Sequence, residues 1–306
     1  MTTTYRGVFP ALVAPQNEDS EILWDVLGEM AKHQLEQGAA GFLVNGHTGE
    51  HMMLSGEERR TAIEVVREAV GPAVPLVAGV HVQAAWKFGS RAESAAEMGA
   101  DSVLIFAPFS FARGAFAYAP EAVVDYYRRC ASDSPVPTFF MQYRPQTNLM
   151  MPAAVLAEVA ALPGMVGVKQ EVEDAIEYEH DLVILRDANP DMAILTATER
   201  GLFGNYMLGA DGCTIGLANF VRPVKRLQDA VWSGDVEASR EAAAALRPLA
   251  DAIYRPPSYR WSARLKYAIH AAGMMPTAAI RSPLFEARDE ERKVIDAVLA
   301  QMQVAA

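Results

Sequence analysis

A (β/α)8 TIM barrel followed by a helical extension is the fold that this sequence predicts, from three observations. Eight short runs rich in β-branched residues alternate with amphipathic stretches over residues 1–233. The runs are apolar throughout, as strands of a parallel sheet covered on both faces are. Residues 234–306 show helical periodicity with no strand between the helices. A doubly wound open sheet is the structural alternative, but it usually carries a glycine-rich phosphate loop after its first strand. Ala11-Leu12-Val13-Ala14-Pro15 offers none, so the strand count decides for the barrel.

Gly7–Val13 is the first expected strand, and Glu21–Gln37 the first amphipathic helix. Gly41–Asn45 then leads to the helix Gly56–Val70, Val74–Val80 to Ala84–Met98, and Ser102–Phe106 to Pro120–Ala131. The fifth strand, Val136–Met141, precedes Pro152–Ala160. The sixth, Met165–Lys169, is bounded by the turn pair Pro163-Gly164 and precedes Ala175–Asp187. Ala193–Thr196 and Gly212–Ile215 complete the set. Helices over Asp235–Ala252, Tyr259–Ala272 and Asp289–Gln303, interrupted at Arg255-Pro256-Pro257, form the extension packed on the barrel. Short linkers predict one folding unit with no flexible hinge.

Composition narrows the function. A chain of 306 residues that is 51% hydrophobic buries a substantial core. Its net charge of -11 and pI near 5.1 argue against nucleic acid or an acidic membrane as a partner. No apolar run reaches membrane-spanning length and Met1–Arg6 has no signal core, so the expected location is the cytoplasm. Cys130 and Cys213 have no CxxC partner and read as buried small hydrophobes. No His, Asp and Glu set has ligand spacing, so neither a metal nor another cofactor is expected.

Lys169 is the most informative residue, because a buried strand should not end in an unpaired ammonium. It either caps the strand and reaches water, or is desolvated for chemistry. An amine that attacks a ketone must be neutral, and at pH 7 an unperturbed lysine costs roughly 4.6 kcal/mol to deprotonate. Burial in a barrel mouth lowers that cost. The same mouth receives the loop after strand two, Asn45-Gly46-His47-Thr48-Gly49-Glu50, whose glycines let backbone N–H groups approach an anion. It also receives the glycine-rich eighth strand with Thr214. His81 ends strand three and could line the site.

Taken in order, these segments resemble the dihydrodipicolinate synthase and N-acetylneuraminate lyase family of Schiff-base barrels. Gly7-Val8-Phe9-Pro10-Ala11-Leu12-Val13-Ala14-Pro15 looks like the family's first strand, Gly46-His47-Thr48-Gly49-Glu50 its Gly-Thr-Thr-Gly-Glu loop, and Val166-Gly167-Val168-Lys169 the strand bearing its lysine. Gly209-Ala210-Asp211-Gly212, Ala218-Asn219, Arg264-Leu265-Lys266-Tyr267 and Arg281-Ser282-Pro283-Leu284 extend the likeness to nearly the whole chain. The resemblance implies that Lys169 forms an imine with a 2-keto acid whose carboxylate is held by Gly46, Thr48 and Gly49. It also implies a homo-oligomer, a tetramer built from dimers.

The departures are as informative. Met141 falls where synthases of the family carry a proton-relaying tyrosine, and a thioether cannot relay a proton. Tyr143, two residues on, would face the same side if the strand continues. His47 replaces a loop hydroxyl, and Phe109-Ser110-Phe111 lacks the phenol donated by a neighbouring subunit. The Met-Gln pair at Gln142 resembles branches that act on 2-keto-3-deoxy sugar acids, with Arg144 near the place of a carboxylate-gripping arginine. His47 is then a proton carrier or a hydroxyl ligand, and Glu171 either a second acid–base group or a residue at the next helix cap. The leading expectation is a dehydratase of a 2-keto-3-deoxy sugar acid. Retro-aldol cleavage to pyruvate comes second and dihydrodipicolinate synthesis third, with a 2-keto-acid-binding protein that forms no product as the rival.

Overall fold

The computed structural model describes residues 5–302; Met1–Thr4 and the expected helix end at Gln303 lie outside the described residues. Eight parallel strands are present among them: β1 (Gly7–Pro10), β2 (Phe42–Val44), β3 (Leu76–Val80), β4 (Ser102–Ile105), β5 (Thr138–Gln142), β6 (Met165–Gln170), β7 (Ala193–Thr196) and β8 (Gly212–Ile215). They pair in sequence order, with β1 also against β8. A bridge between Ala11 and Leu43 closes the ring, and the Leu12 N–H donates to the Leu43 carbonyl at 3.0 Å. The first strand is shorter than expected because after Pro10 only the isolated Ala11 bridge and the Leu12 N–H continue its pairing toward β2.

The helices are α1 (Trp24–Glu36), α2 (Gly56–Val70), α3 (Phe88–Glu97), α4 (Ala115–Tyr118), α5 (Pro120–Asp133), α6 (Ala153–Ala160), α7 (Ala175–Ala188), α8 (Leu202–Leu208) and α9 (Val221–Trp232) around the barrel. Then come α10 (Val236–Tyr254), α11 (Trp261–Ala271) and α12 (Asp289–Met302). The division expected after residue 233 falls in the turn across which α9 and α10 pack. Ser55 starts α2 with a full capping box, its hydroxyl accepting from the Glu58 N–H while Glu58 accepts from the Ser55 N–H. No helix among the described residues is long and apolar enough to cross a membrane.

Register sets which side chains fill the barrel. Phe139 stands opposite Gly167, Met141 opposite Lys169, and Lys169 opposite Leu195. A Cβ at Gly167 would sit 2.0 Å from Phe139 Cε1, so the glycine admits the ring that floors the site. With side chains alternating along each strand, Tyr143, Glu171, Ala197 and Glu199 continue the inward phase, and Gln142, Gln170, Thr196 and Thr198 point out toward the helices.

The C-terminal helices are latched to the barrel by a buried charge pair. Lys266 of α11 lies 2.5 Å from Glu50, both essentially inaccessible; Gln16 Nε2 donates to the second Glu50 oxygen at 2.8 Å, and Lys266 donates to the Ala279 carbonyl. Nearby, Arg281 pairs with Glu58 and donates to the Met53 carbonyl. Removing one member of a buried pair typically costs about 3–5 kcal/mol, because the other is left uncompensated. Lys266→Met should therefore lower unfolding stability in urea by about that amount, and adding Glu50→Gln should recover part of it. Single and double variants of equal stability to wild type would show that the pair carries no such weight.

Candidate active site

A cavity of about 770 Å³ opens at the carboxyl ends of the strands, where the barrel chemistry belongs. Lys169 lies in its wall, 6% exposed, and among the described residues makes no ion pair or side-chain hydrogen bond. Its immediate strand neighbours are the apolar Met141 and Leu195. Burial lowers its pKa, an effect partly opposed by Glu171 and Glu199 and reinforced by Arg144. The lysine is largely desolvated and faces the cavity.

Opposite it, the loop after β2 is held rigidly. Asn45 and Glu50 both have positive φ, 57° and 53°, a strained conformation for side-chain-bearing residues that surrounding bonds must enforce. Asn45 Nδ2 donates to the Arg59 carbonyl at 2.9 Å, and Arg59 donates to the carbonyls of His51 and Leu54. This brings His47 and Thr48 to the cavity wall. Thr214 of β8 lies there too, its buried hydroxyl without a partner among the described residues. A Cβ on Gly216 would stand 2.5 Å from the Tyr254 hydroxyl and 3.3 Å from the Thr48 hydroxyl, so this glycine gathers hydroxyls from barrel and extension at one spot.

Three expected ligand residues are not in the wall. Gln142 is fully buried on the outward phase of β5, donating to the Met151 carbonyl and to Asp181 of α7 at 3.0 Å. It braces helices because it is one residue out of phase with Lys169's partner Met141. Gly46 and Gly49 turn inward to the loop itself: the Gly46 carbonyl accepts from the His51 N–H, and a Cβ at Gly49 would lie 3.0 Å from the Leu12 carbonyl. Gly49 thus packs the loop against Leu12, and Gly46 packs it against Leu43 of β2.

The remaining expected residues do converge. Tyr143 lines the cavity two residues beyond Met141, its hydroxyl accepting from the Ala107 N–H at 3.1 Å. Its pKa is raised by burial, so the phenol keeps its proton. Arg144 pairs with Glu171 and lies 3.8 Å from Glu173. Asp174 takes the N-cap of α7, accepting from the Ile176 and Glu177 N–H groups, which leaves Glu171 to the cavity. His47 stacks near Phe106 at 4.7 Å, and His51 lies nearly parallel to the same ring at 4.8 Å; His81 is 5.5 Å from His51. Burial pushes His47 well below the usual imidazole range and His51 to about 3, and lowers His81. The cluster is neutral at physiological pH.

Sequence reading missed Glu199, His51, Tyr254 and Trp261, all in the wall. Glu199 was findable, since it follows the end of the seventh strand. The tyrosine and tryptophan come from the helical extension, where nothing local marks them.

A family model described as the dihydrodipicolinate synthetase family matches residues 4–302. An uncharacterized DapA-like lyase of Halobacterium salinarum is 28% identical, over 97% of this chain and 94% of its own. The 4-hydroxy-tetrahydrodipicolinate synthase of Gluconobacter oxydans is 26% identical over 99% and 98%. Among solved structures, YagE of E. coli K12, described as a prophage protein in complex with pyruvate, superposes with a TM-score of 0.89 at 18% identity, covering 98% of this chain and 99% of that one.

The neutral imidazoles have a consequence for stability. A histidine whose folded pKa lies below its unfolded value of about 6.5 takes up its proton on unfolding, so stability is lost as pH falls below 6.5, by up to ~1.4 kcal/mol per pH unit per group. Urea midpoints should drop between pH 6.5 and 5, and the drop should be shallower in His51→Phe, which keeps the stack on Phe106. An equal slope in both proteins would show that His51 is protonated in the folded state.

Proposed function

The chain belongs to the dihydrodipicolinate synthetase family of lyases, and on that premise we propose that it is a Schiff-base lyase in which Lys169 condenses with the ketone of a 2-keto acid. The observation that carries this reading is the placement of Lys169: buried, without a counter-ion, between Met141 and Leu195 at the base of the cavity. In that position the neutral amine is accessible at low cost. Its attack on the ketone gives a carbinolamine, loss of water gives an iminium, and the iminium draws electrons from C3. Thr48 and the unpartnered Thr214 hydroxyl are the groups we assign to the substrate carboxylate.

Within this class we favour dehydration of a 2-keto-3-deoxy sugar acid. The cavity is far larger than a pyruvate unit, and above Lys169 it offers His47, Tyr143, Arg144 and Glu171 to a hydroxylated chain. His47, held neutral, suits hydrogen bonding to a substrate hydroxyl better than proton transfer at pH 7. Synthase-like condensation is the second reading. The Tyr143 phenol in the cavity and the similarity to the Gluconobacter synthase favour it. We also propose that the protein assembles as a homo-oligomer and works in the cytoplasm.

Borohydride with pyruvate should leave a stable adduct on the peptide bearing Lys169, and Lys169→Ala should show none. An adduct on Lys32, Lys87, Lys225 or Lys266 would overturn the assignment. Incubation with 2-keto-3-deoxy sugar acids should yield a dehydrated 2-keto product. Efficient condensation of pyruvate with aspartate semialdehyde would select the second reading instead.

A further inference from the structure

We infer that Glu199, from the loop after β7, is the group that moves the C3 proton of the Lys169-bound imine. The inference rests on the Schiff-base reading above and adds the residue that carries its second half. Among the cavity residues that can exchange a proton, the inward phase set by the Lys169 register selects Tyr143, Glu171 and Glu199, and His47 joins them from the loop after β2. Burial lowers the His47 pKa well below the usual imidazole range, so its neutral ring is a weak base. Tyr143 keeps its proton and its oxygen accepts from the Ala107 N–H, so it can donate but is a poor base. Glu171 is committed to Arg144. That leaves Glu199.

Its position is dictated by the sheet. Leu195 is the register partner of Lys169, so Ala197 and Glu199 stand on the same inward phase, one and two pleats further up. Thr196 and Thr198 point the other way, their hydroxyls accepting from Asn205 Nδ2 at 2.7 and 2.6 Å. This outward anchor fixes the phase of the loop beyond the strand's end. The charged or titratable groups around Glu199 include Lys169 and Glu171 from β6 and its loop, Arg144 after β5 and the Tyr254 phenol of α10, with Glu173, His47 and Tyr143 in the same cavity wall; the Cys213 thiol, register partner of Thr196, lies on the outward side of β8. Across a small adjoining cavity lie Arg200 of its own loop and Arg247 and Asp251 of α10. Burial outweighs the cations and pushes the Glu199 carboxyl up to about 7, with Glu171 adding to the rise. A carboxyl poised near neutrality can both take and return a proton.

In the step itself the Glu199 carboxylate accepts the proton from C3. The C3–H pair becomes the C2–C3 double bond, and the C–N π pair moves to the Lys169 nitrogen, giving a neutral enamine. The reverse step returns a proton from the carboxylic acid to C3. No other reactant is consumed, so pyruvate in D₂O is a sufficient probe: its methyl protons exchange only if the cycle runs.

The measurement is the rate of deuterium entry into pyruvate by mass spectrometry, divided by the rate of borohydride trapping on Lys169 under the same conditions. In wild type this ratio should rise with pH through about 7, since the carboxylate is the active form. Glu199→Gln should lower it by ~10²-fold or more and abolish the limb. Glu199→Asp should restore part of the exchange, with the limb displaced. A wild-type ratio in Glu199→Gln, or its loss in Tyr143→Phe alone, would overturn the assignment. Equal loss of trapping and exchange in Glu199→Gln would do the same by giving the residue a structural role. Absence of pyruvate trapping in wild type would instead remove the Schiff-base reading on which the inference rests.

Discussion

A lone amine at the closed end of an apolar tube is the constraint around which this molecule is arranged. Lys169 shares its level of the barrel with Met141 and Leu195, and Phe139 lies below in the space that Gly167 vacates. Burial leaves an ammonium there poorly solvated, and among the described residues no carboxylate stands close enough to form an ion pair. The carboxylates are placed higher, Glu171 with Arg144 and Glu199 beside Tyr254. Nearness of either to the lysine would have fixed it as a cation; their distance leaves it reactive while keeping the cavity polar above it.

The alternation of the parallel strands converts this vertical order into chemistry. Inward residues one level apart along a strand are about 6.6 Å apart, so Tyr143 is rooted one level above Met141, the register partner of Lys169. A phenol shifted outward from the Met141 level therefore addresses a more distal part of a substrate chain than a phenol at that level would. Outward residues of the same strands have a different task. Gln142 and Gln170 share Asp181 of α7, which ties the helical shell to the strands that carry the reacting groups.

Most of this architecture was legible in the sequence because parallel strands are apolar on both faces and stand out between amphipathic helices. Lys169 was legible for the same reason, as a charge ending an apolar run. Gln142 was placed in the site by the resemblance of the Met-Gln pair to branches of the family, and a motif carries no phase. Only its phase relative to Lys169, a property of inter-strand register, shows that it faces the helices. Glu199 was overlooked because Thr196-Ala197-Thr198-Glu199 reads locally as a polar turn. Its inward phase depends on pairing with β6. Tyr254 and Trp261 enter the cavity from helices remote in sequence, a placement no local pattern encodes.

The pair formed by Glu50 and Lys266 also bears on how the molecule comes into being. Glu50 shares a loop with His47 and Thr48, yet its counter-charge emerges only when α11 has been synthesised. On the ribosome, the barrel strands are all made before that loop can bury its carboxylate in compensated form. The loop that carries His47 and Thr48 therefore meets the buried counter-charge of its carboxylate only after every barrel strand has been made. Over evolutionary time the same dependence makes the helical extension hard to shed: a truncation that spares every barrel strand would still strand a buried charge beside the active-site loop.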